Sequence, residues 1–195
     1  MSVLADVKSR LAGLARSETD RYGGDEERPL GGYLGTMAAY SAVVAALAGV
    51  TRATRRDIPD ALGARDMVLY AVATHKLSRL LTKDSVTSPL RAPFTSYRGT
   101  QGPAELKEEV RGHGAQKAIG ELITCPFCTS VWVATGLMAG LIHLPRTTRL
   151  AIDTLAATAG ADMLQFGYAW LEKASSLPAP GVSFPRRPAW PRRDR

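Results

Sequence analysis

Apolar residues gather in four stretches, at 33–50, 66–82, 129–144 and 150–171, and charge collects between and after them. The first stretch is uncharged and rich in Ala, Gly and Val. Its eighteen residues, as a helix rising about 1.5 Å per residue, reach roughly 27 Å, close to a hydrocarbon core of about 30 Å. Arg52, Arg55 and Arg56 close it abruptly, and Tyr33 and Tyr40 lend it interfacial character. The same run also suits a buried Ala-rich helix of a soluble bundle. The second stretch is apolar over 67–73, then carries His75, Lys76 and Arg79, a pattern for partial insertion, snorkelling or amphipathic packing. The third ends at His143 and Pro145. The fourth is interrupted by Asp153, Asp162 and Gln165, which face a bundle interior or water if it spans.

Between these stretches the chain is polar. Leu4, Val7, Leu11 and Leu14 recur at steps of three and four, so a short amphipathic helix is expected over 2–17, followed by a charged, Gly-rich linker over 21–32. Pro89 and Pro93 forbid a continuous helix over 83–102, which reads as a loop. Pro103 is expected to start a polar helix over 104–110, and another short helix over 116–123 leads to Cys125. No segment keeps a strand-like alternation. The expected fold is therefore all-α, a small helical membrane bundle of three to four apolar helices with polar helical tails and loop. The domains expected are an amphipathic helix and linker over 1–31, a helical membrane domain over 32–175, and a disordered Pro/Arg-rich tail over 176–195.

Charge changes the picture in two ways. The net charge of +7 comes largely from the tail, where Arg186, Arg187, Arg192, Arg193 and Arg195 outweigh Asp194. Arginines without interleaved aromatics or a nucleic-acid motif favour solvent or anionic headgroups over specific DNA reading. If four helices span, nineteen Lys and Arg flank one side and six the other. That places both termini and the approach to Cys125 in the cytoplasm of a multi-pass protein in a bacterial-type inner membrane. Residues 1–28 mix acids and bases throughout, so no signal peptide is expected there.

Two blocks are distinctive together. One is His75-Lys76-Leu77-Ser78-Arg79-Leu80-Leu81 with Asp84 and Thr87-Ser88-Pro89-Leu90-Arg91. The other is Gly120-Glu121-Leu122-Ile123-Thr124-Cys125-Pro126-Phe127-Cys128 with Val131-Trp132. Over about 64–170 the chain resembles the bacterial and mycobacteriophage family catalogued as domain of unknown function 1360, which is related to a mycobacteriophage structural-region protein. The resemblance implies a small integral membrane protein and assigns no activity, substrate or cofactor.

The candidate chemistry starts with Cys125 and Cys128, the two cysteines of the chain. Cys125 suits a helix N-cap with Pro126 at the first helical position. Helix dipole and free N–H groups there favour a thiolate, and Cys128 one turn on can resolve it. The same pair is half a tetrahedral zinc site, with His113 as a third ligand, Glu121 or His75 as a fourth, or a second chain completing a four-Cys site. It also reads as two reduced packing residues. The second constellation is basic: His75, Lys76, Arg79 and Lys83 on one helix, with Arg91 and Arg98 after it. Near an interface these can hold lipid phosphates; alternatively Arg79 or Arg91 pairs with Asp84, Glu121 or Asp162 and locks the loop to the bundle. The function expected is a non-enzymatic membrane anchor or assembly component, with membrane lipids and a protein partner or second copy as its partners. A thiol-redox protein and a Cys-ligated metal dimer are the alternatives. No cofactor is expected beyond the zinc of that last reading.

Overall fold

A computed structural model describes residues 6, 10, 13, 17–19, 21–24, 28–58 and 61–175. The amphipathic helix expected over 2–17 falls largely outside these residues, and the tail over 176–195 wholly outside. The chain forms two compact units, Met1–Ala159 and Gly160–Arg195.

In the first unit, α1 (Leu30–Ala53) covers the first apolar stretch and ends where Arg55 takes a left-handed φ of 48°. Next comes α2 (Ala64–Lys83), then a single turn, α3 (Ser88–Arg91), with Pro89 in its first turn. Two strands follow, β1 (Thr95–Gly102) and β2 (Glu105–Val110), then α4 (Gly114–Thr124), α5 (Pro126–His143) and α6 (Pro145–Ser175). Helix α6 runs on into the second unit, where Met163, Leu164, Phe166, Tyr168, Trp170 and Leu171 are exposed.

The all-α expectation is corrected at 95–110. This segment is an antiparallel hairpin with Thr95 opposite Val110, Tyr97 opposite Glu108 and Gly102 opposite Glu105, and irregular register around Thr100. The predicted loop over 83–102 and polar helix over 104–110 give way to it. In isolation Glu105-Leu106-Lys107-Glu108-Glu109 favours helix. Tertiary partners override that preference, because an extended chain turns Leu106, Glu108 and Val110 to one side, where all three are half-buried. Pro103 and Ala104 make the turn, Ala104 at a left-handed φ of 59°.

The expectation of three to four apolar helices is also corrected. Among the described residues two helices, α1 and α5, are long and apolar enough to cross a membrane. Basic residues in the second half of α2, and Asp153 and Asp162 in α6, dilute the other stretches. The four-span count that placed both termini in the cytoplasm therefore loses its basis.

Packing centres on α2 against α5, with α1 and α4 alongside. Among the described residues, the buried hydrophobic ones are Ala73, Ala118, Val133, Ile152 and Ala159. Small residues let the backbones approach closely: a Cβ on Gly32 of α1 would meet Ala118 Cβ at 2.7 Å and the Gly114 carbonyl oxygen at 2.9 Å. Several large apolar side chains point outward, among them Leu34, Met37, Val43 and Val44 of α1 and Val131 of α5. Only 6% of the apolar stretch of α1 and 17% of that of α5 are buried, the reverse of a soluble core helix.

Candidate functional site

The most enclosed side chain of the first block is Arg91, only 1% exposed. Its Nε donates to Glu108 Oε2 at 2.5 Å, one Nη donates to the Leu81 carbonyl at 2.8 Å and to Thr87 Oγ1 at 2.7 Å, and the other donates to the Asp84 carbonyl at 2.8 Å. Glu108 is itself 7% exposed at the side chain. A buried charge is tolerable only when paired and bonded in this way. Thr87 Oγ1 also donates to the Leu80 carbonyl at 2.5 Å, and Thr95 Oγ1 donates to the Arg91 carbonyl at 3.0 Å. The arginine thus clasps the end of α2, the turn after it and the second strand. Helix C-terminal carbonyls lack partners within the helix, and the guanidinium supplies them.

Two further arginines meet glutamates of the same strand. Arg79 pairs with Glu105, and Arg98 Nε lies 2.6 Å from Glu109 Oε2 at the surface. The partners foreseen for Arg79 and Arg91 were Asp84, Glu121 or Asp162; the carboxylates that pair with them are Glu105 and Glu108 of the strand, and Asp84 meets Arg91 through its main-chain carbonyl. Asp84 Oδ1 accepts from the Val86 N–H at 2.8 Å, an Asx-type turn. Glu121 accepts from Tyr33 Oη. His75 on α2 is exposed, and Lys76 and Lys83 are half-buried.

The thiols sit at the α4–α5 junction. Cys125 is extended, with φ −99° and ψ 109°, and caps α5: its sulfur accepts from the Cys128 N–H at 3.2 Å, and Pro126 follows in the first turn. The Cys128 thiol is directed at Cys125 Sγ, the two sulfurs 2.6 Å apart. Both are free cysteines, Cys125 half-buried and Cys128 exposed, and Phe127 beside them is 87% exposed. Among the described residues no three His, Cys, Asp or Glu side chains stand together to hold a metal ion. The set Cys125, Cys128 and His113 is therefore not assembled within one chain. His113 stands before α4 and the thiols follow it, so a helix of about 16 Å lies between them.

A third arrangement escaped the sequence reading. Tyr33, Tyr40 and Thr51 lie on one stripe of α1. Tyr40 Oη is 2.8 Å from Thr135 Oγ1, and its ring meets Trp132 edge-on with centroids 5.2 Å apart. Thr51 Oγ1 is 3.1 Å from His143 Nε2, and on α2 Tyr70 Oη donates to the Ala134 carbonyl at 2.7 Å. The steps from Tyr33 to Tyr40 and from Tyr40 to Thr51, each close to a whole number of helical turns, were the available signal.

The family profile described as Protein of unknown function (DUF1360) matches residues 69–168. This chain belongs to that family. The DUF1360 segment contains the arginine clasp, the hairpin and the thiol junction. Among similar proteins, "Sporulation protein YjcA" of Bacillus subtilis (strain 168) is 31% identical over 102 residues, which cover 51% of this chain and 86% of the relative. "UPF0713 protein YngL" of the same organism is 24% identical over 110 residues, covering 54% of this chain and 78% of the relative. No solved structure matches.

Proposed function

We propose that this DUF1360 protein is an integral membrane protein of a bacterial-type inner membrane, acting as a non-enzymatic anchor or assembly component. One observation carries the reading. Helices α1 and α5 leave their apolar sides uncovered, with Leu34, Met37, Val43, Val44 and Val131 exposed, while their polar side chains pair with each other. Polar groups turned inward and apolar groups outward suit a hydrocarbon solvent. Lipids and a protein partner or second copy are its partners.

An alkaline carbonate wash of membranes from cells expressing the full chain tests the reading. Retention in the pellet is expected, and release into the supernatant overturns it.

The contact between two free thiols, one of them exposed, favours a second reading as a thiol-redox protein. Cys125 thiolate attacks a disulfide of a partner protein and releases one partner thiol. Cys128 then attacks Cys125 in the mixed disulfide, which frees the second thiol and leaves Cys125–Cys128 oxidised. Two electrons pass to the partner. Replacing both cysteines by Ser abolishes this activity and leaves an anchor working. A stoichiometric metal in the purified protein would instead favour a dimer in which two thiol pairs join.

A further inference from the structure

The side-chain pairs of α1 fix its direction against α5. Tyr33, in the first turn of α1, holds Glu121 just before α5 begins; Tyr40 meets Thr135 further along; and Thr51 meets His143 at the end of both helices. Both sets of numbers rise together, so the two apolar helices run parallel. If each crosses a bilayer, the chain between them must cross back, and among the described residues α2 is the one helix of suitable length there.

We propose that α2 is a third membrane-crossing helix, which returns the chain between two parallel spans and turns its uncovered side to lipid hydrocarbon. The inference rests on the membrane reading above. Helix α2 has 20 residues, about 30 Å, matching a hydrocarbon core of about 30 Å. It begins after the short segment 54–63 that follows α1, and it packs along α5 in the opposite direction. Tyr70 bonds the carbonyl of Ala134, midway along α5. The far end of α2 is gripped by Arg91 beside the hairpin, and the hairpin lies against α4 just ahead of α5, where a Cβ on Gly120 would meet Val110 Cγ1 at 2.6 Å and the Phe94 carbonyl oxygen at 3.1 Å.

The charges that made α2 look unfit for a membrane fall in the right places. Residues 67–74 carry none and surround the level of Tyr70. His75, Lys76, Arg79 and Lys83 all lie on the hairpin side of that level, where Arg79 meets Glu105, and Arg65 and Asp66 lie toward the other surface. Long basic side chains reach an interface from such positions. The hydroxyls of α2 are satisfied as lipid demands. Thr74 Oγ1 donates to the Tyr70 carbonyl at 2.8 Å, Ser78 Oγ to Thr74 at 2.6 Å, and Thr82 Oγ1 to Ser78 at 2.8 Å. Met67 and Val68 on the uncovered side are 49% and 62% exposed.

The test uses the full chain carrying Cys125→Ser and Cys128→Ser, with one new thiol at a time: Ile58→Cys in the segment after α1, or Tyr97→Cys in the hairpin, both exposed positions. A membrane-impermeant maleimide is applied to right-side-out and to inverted vesicles. The expected result is labelling of the two positions in opposite vesicle orientations. Labelling of both in the same orientation, with the protein still held in the carbonate pellet, overturns the crossing of α2 and leaves the membrane reading standing. Release of the protein by carbonate overturns both.

Discussion

At the scale of single residues, burial separates two arginine–glutamate pairs on the same strand. Removing Arg91 strands a carboxylate that is 7% exposed and leaves the Leu81 and Asp84 carbonyls without their guanidinium donor. Arg91→Ala should cost about 3–5 kcal/mol of unfolding free energy. Arg98→Ala, breaking a pair that is 59% and 64% exposed, should cost below about 1 kcal/mol. Denaturant unfolding in mild detergent compares them directly, and equal effects would refute the assignment of Arg91 as the clasp. Cys125 offers a second contrast. Its sulfur caps α5 by accepting from the Cys128 N–H, a task that Ser performs and Ala does not. Cys125→Ala should lower stability by about 1 kcal/mol while Cys125→Ser holds it. Stability unmoved by Cys125→Ala would show that the cap contributes nothing.

At the scale of elements, the hairpin is held from outside its own sequence. Its inward side chains are Leu106, Glu108 and Val110, and a Cβ added to Gly120 of α4 would meet Val110 Cγ1 at 2.6 Å. The turn carries a local cost, since Ala104 sits at φ 59°, where glycine is unhindered and alanine is not. Ala104→Gly should therefore raise stability by up to about 1 kcal/mol, measured by the same unfolding experiment. A loss would mean that the left-handed conformation at 104 is not kept in solution. The helices were legible beforehand because their signals are local: Arg52, Arg55 and Arg56 around the end of α1, the Cys125-Pro126 start of α5, and Pro145 at the next helix. The hairpin was not, because its alternation of Leu106, Glu108 and Val110 gains meaning only when Arg91 and α4 stand opposite.

At the scale of the whole molecule, the outward apolar faces decide which solvent the protein needs. Val43 lies on the uncovered side of α1, 42% exposed. In a water-soluble bundle Val43→Arg would change stability by no more than about 0.5 kcal/mol. Inside a bilayer the same change costs about 2.5–3.5 kcal/mol at mid-depth. The membrane fraction of Val43→Arg should fall sharply, whereas Val86→Arg, in the turn after α2 and 85% exposed, should leave it unchanged. Quantitative immunoblots of pellet and supernatant read both variants. Equal partitioning of the two would argue for water around α1.

The sequence by itself determined the predominantly helical character of this protein, the positions of α1 and α5, the capping role open to Cys125, and membership of the DUF1360 family. Each depends on residues within a turn or two of one another, or on blocks carried intact in the chain. Tertiary structure alone decided the partners of Arg79, Arg91 and Arg98, the strand conformation of 95–110, and the parallel course of α1 and α5. Those outcomes depend on contacts between residues as many as 95 positions apart. At such separations a side chain's preference is outweighed by the cost of leaving a buried charge or hydroxyl without its partner.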